Sequence, residues 1–504
     1  MKKLKGLISN NFFWCALFLL LQIAYLAYFL IYLSVELPAL NIILRSIALI
    51  FVIHILNKPM NPAYKIAWII PILVFPLFGM GAYVFLRNHR LSRKNRSSIA
   101  QSGEAKRELL RQNQKLLDTV DSPMSKKQAE KLFCAAQAPI AASDNVVYFD
   151  SGESYAKRLI EELEKAKHFI FMEFFIISRG AFWDRIEKIL ERKACSGVDV
   201  RIIFDDVGSQ KLPKRFIKNM ARVGISACRF NPFHPFFNMQ MNNRSHRKLV
   251  VIDGKVAFTG GMNIADEYIN LITRFGHWKD AGIMFDGAGV DNFTQSFLEL
   301  WNIFHPVADY RSYVGLHGKT PSGKNLIIPF TDFPADYENV TQDMYLQLIY
   351  GANKYVYFFT PYLIIDNEMR AALLSAKKSG VDVRVVVPHI PDKKIVFELT
   401  KVFYSELVEN GISVYEYTKG FIHSKVALAD NRYAYVGSCN LDFRSLFLHL
   451  ECGVYLDSPE VAGDIKNDFE KTFAESKHIK KSDLKTGKLR AIWRSVLRVF
   501  APLM

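Results

Sequence analysis

Three apolar runs open the chain. From Phe12 to Leu33 there are 22 residues without a charge, enough at about 1.5 Å per residue to cross a hydrocarbon core of roughly 30 Å. A second run, Ile42 to Leu56, follows almost at once. The first run therefore reads as a retained anchor, because a cleaved signal peptide has a shorter apolar region and a small-residue cleavage site. The third run, Ile66 to Leu86, is uncharged but contains Pro71, Pro76, Gly79 and Gly81. Those residues break soluble helices and are tolerated in membranes, so the segment is expected to span, kink or re-enter. If it re-enters, Lys2, Lys3, Lys5, Lys58, Lys65 and the Arg87 to Arg96 cluster all fall on one side. Cations gather on the cytoplasmic side, so this arrangement predicts a multi-pass protein of the cell membrane with a cytoplasm-facing catalytic part.

The pattern then changes to short strands and amphipathic stretches. The hexapeptide Ser-Gly-Val-Asp-Val-Arg stands at Ser196 to Arg201 and again, unchanged, at Ser379 to Arg384. Each copy follows a helix-like stretch and leads into an apolar run, Val200 to Phe204 or Val383 to Val387, while another strand lies upstream at His168 to Ile177 or Tyr355 to Leu363. Strand, helix, Gly turn and buried strand, twice over, predict a duplicated α/β layer structure. At the far end, Leu489, Ile492, Trp493, Val496, Leu497 and Phe500 recur at helical spacing with Lys488, Arg490, Arg494 and Arg498 on other faces. This is the pattern of a basic helix lying flat on a bilayer.

Composition agrees with an apolar segment joined to an ordinary enzyme: of 504 residues, 50% are hydrophobic and 23% charged. The net charge of +16 suits anionic lipid or nucleic acid, and the apolar segments favour lipid. Six scattered cysteines, without CxxC spacing, indicate neither a zinc site nor a disulfide framework.

The chemistry is carried by two identical spacings, His246-Arg247-Lys248 with Asp253 and His423-Ser424-Lys425 with Asp430. The same offset carries Gly261 onto Ser438 and Asn263 onto Asn440. Each motif runs into apolar residues, so His and Lys are expected on a strand, two apart and on one face. An imidazole that attacks phosphorus or moves a proton, beside an ammonium for the non-bridging oxygens, suits a phosphodiester. The Gly260 to Asn263 and Gly437 to Asn440 turns are expected to offer N–H groups, a hydroxyl and amides to the growing negative charge. Asp253 and Asp430 look like turn residues that hold the strand ends. A Lys two residues after the His would repel a divalent cation, so no metal or other cofactor is expected. His54, His89, His305 and His478 read as surface.

These paired motifs resemble the phospholipase D superfamily from about residue 130 to 475. Closer detail resembles bacterial cardiolipin synthases: Arg244 to Lys248, Gly260 to Ile264, Gly276 to Asp280, Thr360 to Leu363 and Gly437 to Ser445, with the Asn61-Pro62 to Phe85 stretch also similar. Ser245 departs from the pattern, where Asn or Asp is expected. The resemblance implies two similar α/β halves, each a mixed sheet flanked by helices, related by a pseudo-twofold axis and preceded by a helical membrane domain. Residues 1–95 would form that domain, 96–130 a basic linker, 131–315 and 316–476 the halves, and 477–504 the basic helix. It also implies that His246 attacks one phosphatidylglycerol, His423 protonates the departing glycerol, and a phosphohistidine passes the phosphatidyl group to a second phosphatidylglycerol. Asp280 and Glu451 would each orient an imidazole. Phosphatidylglycerol and anionic membrane lipid are the expected partners, and nucleic acid is not. The alternatives are another phospholipase D-type transferase or hydrolase, a membrane-tethered nuclease, and a non-catalytic scaffold.

Overall fold

Proline and asparagine punctuate the apolar N-terminus into separate helices. The computed structural model describes residues 28, 32, 35–86, 103, 106–232, 243–306, 309–318, 323–333 and 338–503, and it divides into two units, Met1–Asn88 and His89–Met504. In the first, the second apolar run becomes a helix over Pro38–Leu56, the one helix among the described residues long and apolar enough to cross a membrane. Its charged residue, Arg45, donates to Asn41 one turn back. Asn61 caps the next helix through the Ala63 N–H, and Pro62 occupies its first turn.

The third apolar run is two helices, Pro62–Val74 and Pro76–Leu86, broken at Phe75. A Cβ on Gly79 would meet the Ile72 backbone nitrogen at 2.5 Å, so the second short helix folds back tightly against the first. At about 1.5 Å per residue, 13 and 11 residues are each too short to cross roughly 30 Å. Prolines make this run a helical hairpin rather than a span. The expected first span, Phe12 to Leu33, lies outside the described residues except for Tyr28 and Tyr32.

The second unit holds two mixed sheets. In the first half the strands are β1 (Ala141–Ser143), β2 (Val147–Phe149), β3 (Phe169–Phe174), β4 (Asp199–Asp205), β5 (Ser226–Phe230), β6 (Lys248–Ile252), β7 (Val256–Gly260), β8 (His277–Lys279) and β9 (Gly282–Asp286). The second half adds β10 (Asn325–Asp332), β11 (Tyr355–Phe359), β12 (Leu363–Ile364), β13 (Asp382–Pro388), β14 (Ser413–Tyr417), β15 (Gly420–Ile422), β16 (Val426–Ala429), β17 (Tyr433–Gly437), β18 (Leu441–Asp442), β19 (Glu451–Asp457) and β20 (Ser476–His478). One sheet runs β2-β9-β7-β6-β3-β4-β5. The other contains the same sequence of roles, β10-β19-β17-β16-β11-β13-β14, with β1 and β20 added at its edges. The duplication is therefore structural.

Side chains on alternate strand positions separate the faces. Phe171, Leu249, Val251 and Ile283 of the first sheet share one apolar core with Tyr357, Leu428, Val454 and Leu456 of the second. Ile170, Met172, Val250 and Ile252 turn the other way, onto Leu159, Trp183 and Ile186 of the covering helices. A common core welds the two halves into one body.

The repeated hexapeptide serves this frame. Gly197 and Gly380 take φ of 88° and 90°, a left-handed turn that glycine adopts without strain. Arg201 donates to Asp199 at 2.7 Å and lies over Phe171, Trp301 and Tyr313. Arg384 does the same with Asp382, Tyr357 and Phe473.

Candidate active site

The two halves exchange short strands where they meet. β15 runs parallel to β8, pairing Ile422 with Lys279, and the segment before β6 makes the matching bridge, Ser245 to Leu450. The next N–H in each is a histidine's: His423 donates to the Lys279 carbonyl at 2.7 Å and His246 to the Leu450 carbonyl at 2.9 Å. Both histidines thus stand on cross-half ribbons just before the central strands, not on those strands as the apolar pattern suggested. The reason is tertiary, since the backbone partner comes from the other half.

Immediately after each bridging residue comes a buried carboxylate, Asp280 after Lys279 and Glu451 after Leu450. His423 Nδ1 lies 2.7 Å from Asp280 Oδ2, and His246 Nδ1 lies 2.9 Å and 3.0 Å from the Glu451 oxygens. Each motif's imidazole therefore meets the carboxylate of the opposite half.

Gly261 and Ser438 hold equivalent places behind these carboxylates. A Cβ on Gly261 would meet Asp280 Oδ1 at 2.1 Å, while the Ser438 hydroxyl donates to Glu451. The Gly261 N–H donates to the Ala281 carbonyl at 3.0 Å and the Ser438 N–H to the Cys452 carbonyl at 2.8 Å. The two N–H groups are thus spent on backbone carbonyls, and the Ser438 hydroxyl supports a carboxylate.

The lysines are held within their own motifs. Lys248 Nζ donates to the His246 carbonyl and Lys425 Nζ to the His423 carbonyl, and both residues are 1% exposed. Neither buried ammonium can turn to water, so each folds back on its own histidine's backbone. Asp253 accepts from the Lys167, His168 and Phe169 N–H groups at 2.7 to 2.9 Å. Asp430 accepts from Asn353, Lys354 and Tyr355 at 2.7 to 3.0 Å. Both residues take positive φ, 56° and 53°, and each clamps the start of the strand beside its own motif.

The imidazoles open on one cavity of about 960 Å³, whose wall also includes Asn263, Asn440, Arg244, Arg444 and Lys393. Asn263 is held by the Ile176 N–H and Tyr268 hydroxyl, and Asn440 by Asp442. His423 is covered by Trp278 and Tyr268, and His246 by Phe175 and His449. His449 is a third imidazole that the motif reading did not single out. Its signal was positional, two residues before Glu451 as Trp278 is two before Asp280.

Burial governs the protonation states. It drives His246 well below its ordinary value, helped by Lys248. It brings His423 to about 4, with Lys425 adding to burial and Asp280 opposing it. Burial also lowers Lys248 to about 8 and Lys425 to about 7. Glu451 is raised by burial to about 8. Burial raises Asp280 too, but the His423 and Lys425 charges and the His423 bond outweigh it, so that carboxyl ends below its usual range.

Residues 159–301 and 345–473 match a family described as cardiolipin synthase, phospholipase D-like domain. The chain belongs to the cardiolipin synthase family of the phospholipase D superfamily. It is a phosphatidyltransferase, and residues 46–88 match a family described as phospholipase D-nuclease N-terminal. A cardiolipin synthase of Geobacillus thermodenitrificans is 32% identical over 466 residues, 90% of this chain and 91% of that one. An uncharacterized protein of Streptococcus mutans is 37% identical over 457 residues, 90% of this chain and 99% of its own length. The crystal structure of phosphatidylserine synthase from Haemophilus influenzae overlays with a TM-score of 0.57 at 14% identity, over 75% of this chain and 98% of that one, which places the cardiolipin synthase halves in the same fold. Relatives of this kind, with the apolar Pro38–Leu56 helix, make membrane-associated phospholipid the substrate class.

Proposed function

We propose that this chain transfers a phosphatidyl group from one phosphatidylglycerol to the terminal hydroxyl of another, giving cardiolipin and glycerol. The observation that carries the reading is the pair of imidazoles lining one cavity, each with Nδ1 on a buried carboxylate. Nδ1 is thereby occupied and Nε2 is left for phosphorus or a proton.

The carboxylates divide the roles. Asp280, held ionised, opposes the burial that brings His423 to about 4, and the charge of a bound phosphodiester opposes it further, so His423 takes up a proton as substrate binds and serves as the acid. Glu451, pushed toward neutrality, gives His246 no such support and leaves it the uncharged nucleophile. His246 Nε2 bonds to phosphorus, the bond to the glycerol oxygen breaks, and His423 donates its proton to that oxygen. The second phosphatidylglycerol then yields its hydroxyl proton to His423, attacks the phosphohistidine and restores His246. Lys248 and Lys425, buried two residues after the two histidines, offset the phosphate's charge.

Purified protein incubated with phosphatidylglycerol as the only lipid should yield cardiolipin and glycerol in equal amounts. Phosphatidic acid as the sole lipid product would overturn the proposal in favour of hydrolysis. His246→Ala should abolish formation of an acid-labile phosphoenzyme, whereas a phosphoenzyme persisting in that variant would reassign the nucleophile.

A further inference from the structure

The Lys488–Val499 helix is amphipathic, and it presents its faces in the reverse of the usual order. Arg490 and Arg494 both bond Glu398, at 3.0 and 3.1 Å, and Arg498 bonds Glu406 at 3.0 Å while lying over Phe403. All three partners belong to the Lys394–Glu409 helix, and Leu497 is buried. The arginines, one turn apart, therefore clamp the polar face inward. The apolar face points out: Leu489 is 85% exposed, Ile492 63%, Trp493 50% and Val496 44%.

Charge and position say what covers that face. Lys477, Lys480, Lys481, Lys485 and Lys488 are exposed in the stretch leading into the helix, where Asp483 is the only acid. A cationic approach to an apolar stripe matches anionic headgroups above acyl chains. The supporting Lys394–Glu409 helix begins at the active-site wall, where Lys393 and Val396 line the cavity. Beyond the C-terminal helix, the Ala501–Leu503 turn packs on Phe443–Phe447, which carries the wall residue Arg444. Beside other wall residues, Leu271, Ile272, Ile390 and Ile395 are exposed as well. Apolar side chains and an outward apolar helix thus adjoin elements that build the cavity wall.

We propose that this helix and these side chains lie in the headgroup and acyl boundary of an anionic bilayer, so that the cavity opens onto lipid rather than water. The docking surface does not depend on which phosphatidyl acceptor the site uses.

The test uses the full chain in vesicles of phosphatidylglycerol and phosphatidylcholine, with and without bromine on the acyl chains. Subtracting Trp493→Phe spectra isolates the emission of Trp493 from that of the other tryptophans. That component should fall severalfold in brominated vesicles. Equal emission in both vesicles, as when a second copy or the chain's own N-terminal unit covers the helix, would overturn the proposal. As a second arm, Ile492→Asp with Val496→Asp should lower turnover severalfold on vesicles and leave turnover of a monomeric short-chain phosphatidylglycerol unchanged. An equal loss on both substrates, or no loss on vesicles, would overturn it too. The quenching arm reads docking even where no cardiolipin forms, so it fails independently of the proposed reaction.

Discussion

At the scale of single residues, the site works by crowding charge into a buried place. Gly261 is required because Asp280 fills the space its side chain would take. Gly261→Ala should push that carboxylate off His423 and lower kcat by about 10²-fold, the usual cost of misplacing a catalytic group by an ångström. Unchanged kinetics would detach Asp280 from the mechanism. The lowered lysines give a pH dependence whose sign follows from linkage. A phosphodiester keeps its charge throughout the neutral range, and it raises Lys248 and Lys425 above their values of about 8 and 7. Binding then takes up protons, so affinity for a soluble dialkyl phosphate should rise as pH falls from 9 to 7, by up to about tenfold per pH unit for each proton taken up. Calorimetry in buffers of different ionisation heat would measure the uptake, and a flat Kd over that range would contradict it. The His and Lys positions were legible as a spacing. Their orientations were not, because a lysine turning back to a carbonyl is decided by burial.

Elements carry the parts that local sequence does announce. The hexapeptide at Ser196 and Ser379 was readable because its glycine turn and its Asp–Arg pair are short-range features. Asp253 and Asp430 are likewise local turns, but their reach to the start of β3 and β11, some 80 residues away, is a tertiary fact. Three N–H groups converge on each carboxylate, so Asp253→Ala leaves three donors without that acceptor. We expect a loss of about 1–3 kcal/mol in stability, read as a lower unfolding midpoint, with kcat per folded molecule near that of the parent. A large kcat loss with no shift in the midpoint would instead make Asp253 a participant in proton transfer. The third apolar run shows the opposite limit of local reading. Its prolines announced a break, but only the close approach of Gly79 to the Pro71–Ile72 backbone makes the break a hairpin.

The whole molecule is a pair of halves that are incomplete alone. The strand orders repeat, the inner faces share a core, and each histidine is held by a carboxylate from across the junction. Sequence spacing places Asp280 downstream of His246 and Glu451 downstream of His423; the exchanged ribbons reverse those partnerships. Double-mutant cycles on stability can tell the two arrangements apart, because coupling is largest between groups in direct contact. His423→Ala with Asp280→Asn, and His246→Ala with Glu451→Gln, should each show about 0.5–3 kcal/mol of interaction energy. The same-half combinations, His246 with Asp280 and His423 with Glu451, share only the lysines and the cavity and should couple more weakly. Same-half coupling stronger than cross-half coupling would mean the halves do not trade these strands. The crossed pattern carries a further consequence: any motion that parts the halves separates both imidazoles from their carboxylates together, so the proposed acid and nucleophile are assembled or lost as one unit.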